Sequence, residues 1–245
     1  CIVRDFDAAA VLATITTERI TGVWLAPVML ARLLEFGNPA KVDLSSLRWV
    51  LGGGERTPER RIRAFGSLFP SARYVDAYGL TETCSGDTMM EAGSELARIG
   101  STGRPVPHLD LTIRDDDGAA LPAGHQGEMC VRGPKVFKGY WKDSERTAAS
   151  FHPGQWFRTG DVGYCDDDGF LFLTDRKKDL IISGGENISS AEIERAIYML
   201  SEIADAAVVG MPDSEWGERP VALVVLRDGV SLDLSTMQEH CRRHL

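Results

Sequence analysis

The tightest constraint on this chain is a change of rhythm along it. Over residues 6–78, helix-spaced apolar runs and short strand-like runs take turns. Val11, Leu12 and Ile15 fall on one face of a helix over 7–18, and 21–25 reads as a short strand. Pro27 stands where its fixed φ suits a first helical turn, with Met29, Leu30, Leu33 and Leu34 following at helical spacing. Residues 48–51 make the next strand, closing on Gly52-Gly53-Gly54. Thr57-Pro58 has the form of an N-cap with proline at the first helical position, opening a helix to about Ser67, and 72–76 is a further strand. Strands separated by helices pair in parallel and are covered by those helices.

The texture then changes twice. From about 100 to 174, strand candidates at 109–113, 127–132 and 170–173 are punctuated by Asp117-Gly118 and Asp168-Gly169 turns, which predicts a compact antiparallel β subdomain. From Lys177 onward, a strand at 180–182 leads into Gly184-Gly185. A capping box at Ser189-Ser190-Ala191-Glu192 then opens a helix carrying Ile193, Ala196, Ile197 and Leu200. Strands at 206–210 and 221–226 and a helix from Ser235 to the end complete an α+β tail. The fold class is therefore α/β: a parallel sheet flanked by helices, a small antiparallel β subdomain, and a small α+β C-terminal unit.

Composition excludes several functions. No run of 18 apolar residues occurs, which argues against a membrane-spanning helix. A net charge of -9 argues against nucleic acid or an anionic membrane as the main partner, while leaving room for a local basic pocket. Cys1, Cys84, Cys130, Cys165 and Cys241 are scattered without a CxxC, as expected of reduced thiols in the cytoplasm. The two Asp-Asp-Asp-Gly runs (115–118 and 166–169) lack the alternating ligands of a calcium loop and read as solvated hairpin turns. His240 and His244 have metal-compatible spacing on a helix, but no third ligand accompanies them. None of His108, His125, His152, His240 or His244 accompanies a GxSxG elbow, which disfavours a hydrolase.

Five short runs can carry chemistry. Gly52-Gly53-Gly54-Glu55-Arg56 links a strand to a helix, where backbone N–H groups face a ligand in α/β sheets; a generic tight turn fits equally well. Tyr78-Gly79-Leu80-Thr81-Glu82 offers an aromatic face, a hydroxyl and a carboxylate suited to a purine, a phosphate and Mg²⁺; the alternative is a core Tyr and a helix-capping Thr. Residues 156–161 (WFRTGD) place a carboxylate just after a turn glycine, a fixed acceptor of the kind that holds ribose hydroxyls. Asp175-Arg176-Lys177-Lys178-Asp179 by itself is a solvated linker, and Gly184-Gly185-Glu186-Asn187 a loop before a capped helix.

Taken in order, the phrases GGGER, YGLTE, GSTGRPVP, GEMCVRGPKVFKGYW, WFRTGDVGY, TDRKKDLIISGGENISSAEIE and VVGMPDSEWGERPVALVV resemble the adenylate-forming superfamily of acyl-CoA synthetases, adenylation domains and luciferases. The resemblance implies activation of a carboxylic acid by ATP to an acyl-adenylate, commonly followed by transfer to a thiol. It implies that Gly53, Gly54 and Glu55 line the adenine and acyl pocket and that Tyr78, with Gly79, stacks on adenine. By the same resemblance, Thr81 would contact the α-phosphate, Glu82 would bind Mg²⁺, Asp161 would hold the ribose hydroxyls and Arg176 would reach ribose or phosphate oxygens. The resemblance also implies that Lys178 takes the hinge position. Residues 1–177 would be the later part of a large adenylation domain, with the β subdomain at about 100–174, and 178–245 an incomplete C-terminal domain.

The residues around 181–188 and 212–218 look most like CoA ligases of fatty and aryl acids, with Gly184, Gly185 and Trp216 bordering the CoA site. The family's phosphate-gripping loop and C-terminal catalytic lysine have no counterpart in these residues. The expectation is thus a piece of a longer enzyme that associates with itself, as a homo-oligomer, or with a missing segment, and shows no acid-dependent ATP–pyrophosphate exchange alone. A non-catalytic nucleotide- or acyl-binding fragment, or an enzyme with another thiol acceptor, are the alternatives.

Overall fold

The computed structural model describes residues 4–53 and 59–245, and of residues 59 and 60 the backbone alone. The first layer follows the predicted alternation. Helix α1 (Ala8–Thr17) is capped by the Asp7 carboxylate, which accepts the Ala10 N–H at 2.8 Å, and strand β1 (Gly22–Leu25) follows. Helix α2 (Pro27–Phe36) starts on its proline, and β2 (Trp49–Gly52), α3 (Glu59–Leu68) and β3 (Arg73–Tyr78) complete the run. The strands pair in parallel, β1 with β2 and β2 with β3. Their cover is a core of Val11, Leu12, Ile15, Leu30, Leu33, Val50, Phe65 and Phe69.

The sheet is not wholly parallel. After β3 the chain makes a short 3₁₀ turn, Thr81–Thr83, and returns as β4 (Thr88–Met89), followed by β5 (Arg104–Pro105). A link this short cannot form a crossover, so β4 pairs antiparallel with β3, and β5 then pairs antiparallel with β4. The N-cap expected at Thr57-Pro58 lies outside the described residues, as do Gly54 and Glu55.

The second unit is the antiparallel sheet expected from the Asp-Gly turns. It comprises β6 (Asp110–Arg114), β7 (Gly127–Arg132), a short helix α4 (Ser144–Ala149), β8 (Phe151–His152), β9 (Trp156–Cys165) and β10 (Leu171–Arg176). The strand order is β10-β9-β7-β6, over a core of Leu109, Ile113, Met129, Val131, Phe157 and Leu171. Asp166 spends its Oδ1 on the N–H groups of Asp168 and Phe170, as a hairpin turn does.

One expectation is corrected here. Gly160 is not a turn glycine; it lies inside the ten-residue β9 with φ +75°. Glu128 pairs with Val162 while Cys130 pairs with Arg158, so two steps along β7 span four along β9. That excess is a β-bulge, and glycine supplies its left-handed residue.

The third unit holds β11 (Ile181–Ser183), β12 (Glu186–Ile188), α5 (Ser190–Tyr198), β13 (Ile203–Asp213), β14 (Gly217–Leu226) and α6 (Leu234–His244), with strand order β12-β11-β14-β13. Gly184 and Gly185, read as a loop, are the two-residue turn of the β11–β12 hairpin, at φ +60° and +87°. Two left-handed residues in sequence are what a type I′ connection requires. Ile181, Ile197, Ile203 and Val208 form the core. A ring nitrogen of His240 bonds the Ala196 carbonyl at 2.8 Å, tying α6 to α5. Among the described residues, no helix is long and apolar enough to cross a membrane.

Candidate active site

The site is built where β3, the β9 bulge and the end of β10 meet. Tyr78 is the last residue of β3, Asp161 follows the bulge glycine, and Arg176 ends β10, paired in register with Asp161. Asp161 is only 5% exposed. Its carboxylate accepts the Tyr78 hydroxyl on one oxygen and the Arg176 Nε at 3.1 Å on the other. Burial pushes the Asp161 carboxyl above its ordinary value, against the opposing pull of Tyr78 and Arg176. Burial, reinforced by the Asp161 charge, likewise pushes the Tyr78 phenol upward. Gly53, just past the end of the neighbouring β2, approaches so closely that a Cβ there would sit 3.1 Å from the Ala77 carbonyl.

The loop after Tyr78 is tightly folded on itself. A Cβ on Gly79 would lie 2.2 Å from the Gly86 nitrogen, so only glycine allows the two ends of the loop to touch. Cys84, Ser85 and Gly86 are all left-handed, at φ 56°, 60° and 62°. The Lys135 ammonium holds this strained turn, donating to the Ser85 carbonyl at 2.6 Å and the Gly86 carbonyl at 2.7 Å, and pairing with buried Asp87 at 3.0 Å. Thr81 is exposed at the head of the loop. Glu82 is half-buried, and its Oε1 accepts the Tyr140 hydroxyl at 3.0 Å, which leaves its second oxygen available to a cation. A single fixed carboxylate oxygen suits Mg²⁺, which keeps most of its waters.

Beneath the bulge lies a buried ionic knot. Glu128 on β7 is 5% exposed and accepts Arg158 Nη2 at 3.0 Å, Lys177 Nζ at 3.2 Å and the Gly160 N–H at 3.2 Å. Burial alone would raise this carboxyl, but Arg158 and Lys177 outweigh it and hold it below its ordinary value. Lys177 is thus not part of a solvated linker. Lys178 is exposed, and its side chain makes no hydrogen bond or ion pair among the described residues.

A second group lies in the C-terminal sheet. The Gly184 N–H donates to the Trp216 carbonyl at 2.8 Å, and a Cβ on Gly184 would lie 2.8 Å from the Trp216 ring. The indole, 48% exposed, therefore rests on the hairpin turn and keeps one side open. Asp213 fixes its backbone by accepting the N–H groups of Glu215 and Trp216, each at 2.9 Å. Of the predicted residues, Tyr78, Asp161 and Arg176 are in direct contact, Gly53 packs on the end of β3, and Gly79, Thr81 and Glu82 lie on the loop that follows; Gly184, Gly185 and Trp216 form a second group. Lys178 stands between them in the chain.

Reading the sequence missed Glu128, Lys135, Tyr140 and Lys177. A signal existed for Glu128: it is the one charged residue among the apolar positions of a buried strand, GEMCV. Such an acid is retained only when it is paired.

Comparison with known proteins places this geometry. The AMP-binding enzyme family matches residues 1–141 and the AMP-binding enzyme C-terminal domain matches residues 192–245. The chain belongs to the AMP-binding enzyme family. It is 43% identical to an indoleacetate–CoA ligase of Aromatoleum aromaticum over 93% of this chain and 44% of that protein. Among solved structures, an amide bond synthetase from Marinactinospora thermotolerans matches with TM-score 0.91 at 39% identity, covering 99% of this chain and 49% of that one. An o-succinylbenzoate–CoA synthetase from Bacillus subtilis matches at 35% identity over 99% of this chain, with TM-score 0.87 in complex with its acyl-adenylate, where 48% of that chain is covered, and 0.86 with ATP and magnesium, where 49% is covered. The chain spans about half the length of the relatives it matches.

Proposed function

We propose that this chain supplies the nucleotide-binding and hinge portion of an ATP-dependent acid–CoA ligase that works through an acyl-adenylate. The observation that carries this reading is Asp161: a buried carboxylate, oriented by Tyr78 and Arg176, held against the carboxyl end of β3, the kind of strand end where α/β sheets receive nucleotides. A fixed, desolvated acceptor can take two vicinal ribose hydroxyls and discriminates against ligands lacking them. In this reading Tyr78 and Gly79 flank the adenine, Gly53, Gly54 and Glu55 border the adenine and acyl pocket, Thr81 meets the α-phosphate and Glu82 holds Mg²⁺. Bound there, Mg²⁺ neutralises phosphate charge.

The second cluster serves the thiol. Gly184, Gly185 and Trp216 offer a bare turn backbone and an open indole face suited to pantetheine and CoA. The domain division then falls after residue 177, with 178–245 turning about Lys178 between the two half-reactions. The relatives' names point to aryl and fatty acids as the substrate class. The amide bond synthetase favours a second reading in which an amine replaces CoA as acceptor.

The test uses the protein expressed from its complete reading frame. Acid-dependent ATP–pyrophosphate exchange is expected with an aryl or fatty acid, and CoA-dependent release of AMP in the same reaction. Exchange with AMP release supported by amines and not by CoA would select the second reading. No exchange with any acid would contradict both.

A further inference from the structure

Lys177 and Lys178 are adjacent, yet they are bonded in opposite ways. The Lys177 N–H donates to the Gly160 carbonyl at 2.7 Å, and its ammonium reaches Asp116 at 2.5 Å and Glu128 at 3.2 Å. Backbone and side chain therefore both tie residue 177 to the bulge that presents Asp161. Asp116 is exposed, and such a pair holds weakly. Glu128 is the firm anchor, because it is buried and joined also to Arg158 and to the Gly160 N–H. Beyond it, the N–H groups of Asp179 and Leu180 both turn back to the Arg176 carbonyl, and the Lys178 side chain makes no hydrogen bond or ion pair among the described residues, its charge acting on Asp161 only at a distance.

We propose that Glu128 and Lys177 are positioning residues that form a latch, fixing the place where the C-terminal unit begins to turn. A chain swings at the residues whose dihedral change breaks the fewest bonds. With the latch closed, that residue is Lys178. Arg176 then stays on Asp161, and the nucleotide side of the site keeps its shape while the thiol side moves. With the latch open, the swing can start at residues 176–177, which draws Arg176 away from Asp161. The proposal rests on the hinge reading given above.

Suppression separates the two. On the protein from its complete reading frame, Lys178→Pro is expected to keep adenylation within about threefold and to lower acyl transfer to the thiol at least tenfold, since proline fixes φ at the hinge, by order of magnitude. Adding Lys177→Met should move the hinge upstream, recover transfer by roughly fivefold or more, and raise the KM for ATP about threefold with little change in kcat for exchange. Glu128→Gln in the Lys178→Pro background gives the same recovery by opening the latch from its other side, and serves if the first double variant melts early. Unchanged half-reactions in Lys178→Pro would remove the hinge reading itself. A block in Lys178→Pro that neither second substitution relieves, or equal loss of both half-reactions in both double variants, would overturn the latch.

Discussion

The central sheet and the C-terminal sheet have similar architecture and treat their polar and apolar groups in contrasting ways. In the central unit the charged groups are interlocked: Glu128, Arg158, Lys177 and the bulge amide share one knot, and Asp161 is bonded on both oxygens. The C-terminal sheet has one face on its helices and another that is bare. Ile182, Val209, Met211, Val221, Leu223 and Val225 are all exposed there, while Ala222, Val224 and Leu226 face the core. The first arrangement fixes side chains to within hydrogen-bond tolerances. The second has alternation and a core but few polar constraints beyond its backbone ladder. A catalytic sequence that binds a nucleotide and then changes partners needs both, one unit rigid and one able to present a different surface.

The contrast can be broken most severely at Gly103, which sits at φ +88° where the first sheet meets β10 and its carbonyl accepts the Leu171 N–H. A Cβ there would fall 1.9 Å from the Met89 carbonyl oxygen. Gly103→Ala is expected to cost about 3 kcal/mol or more, read as a lost or strongly lowered denaturant midpoint. A change below about 1 kcal/mol would show that the junction is looser than described.

Glu128→Gln is the next largest. It leaves Arg158 without its charge partner and Lys177 with only the exposed Asp116, and since both cations are partly exposed the cost is discounted to about 2 kcal/mol at neutral pH. The sign with pH follows from the lowered carboxyl. Its stabilisation is present above its ordinary value of 4.5 and is lost as pH falls through the lowered value. The gap between parent and variant should therefore be widest at pH 7 and close in acid. Asp161, raised by burial, has the opposite sign: its contribution is present in acid and lost as pH rises through its raised value. Urea melts at several pH values check both, and a gap for Glu128→Gln that widens in acid would refute the assignment.

The smallest effects fall on the bare face of the C-terminal sheet. Leu223→Lys in this chain should shift stability by no more than about 0.5 kcal/mol, whereas Val224→Lys, one residue on and packed against the core of Ile181, Ile197, Ile203 and Val208, should cost about 2 kcal/mol or more. Equal costs would mean that the two faces of β14 are not distinguished as described.

The alternation of elements was readable because each helix and strand carries its own period; α1, α2 and β7 fall within a residue or two of their expected bounds. Asp161, Tyr78 and Arg176 were readable as motifs, but their contact was not, since it joins residues 83 and 15 positions apart. The Gly160 bulge escaped because a glycine after Arg-Thr has the same local signature in a turn and in a strand. The length of β13 and β14 escaped because Pro212 and Pro220 look like strand breakers, although Pro220 lies inside a paired strand and Pro212 near its end. The ionic knot escaped because no spacing links Glu128 to Lys177; tertiary folding alone brings them together.

If Asp161 is the ribose acceptor, AMP binding depends on its carboxylate, as calorimetry on the protein from its complete reading frame can measure. Asp161→Ala strands hydroxyls that the parent satisfies, a loss of about 2–4 kcal/mol and so roughly 30- to 1000-fold in affinity. Asp161→Asn, of nearly the same size, should recover only part of that loss. An AMP affinity unchanged in Asp161→Ala, with the variant folded, would contradict the account.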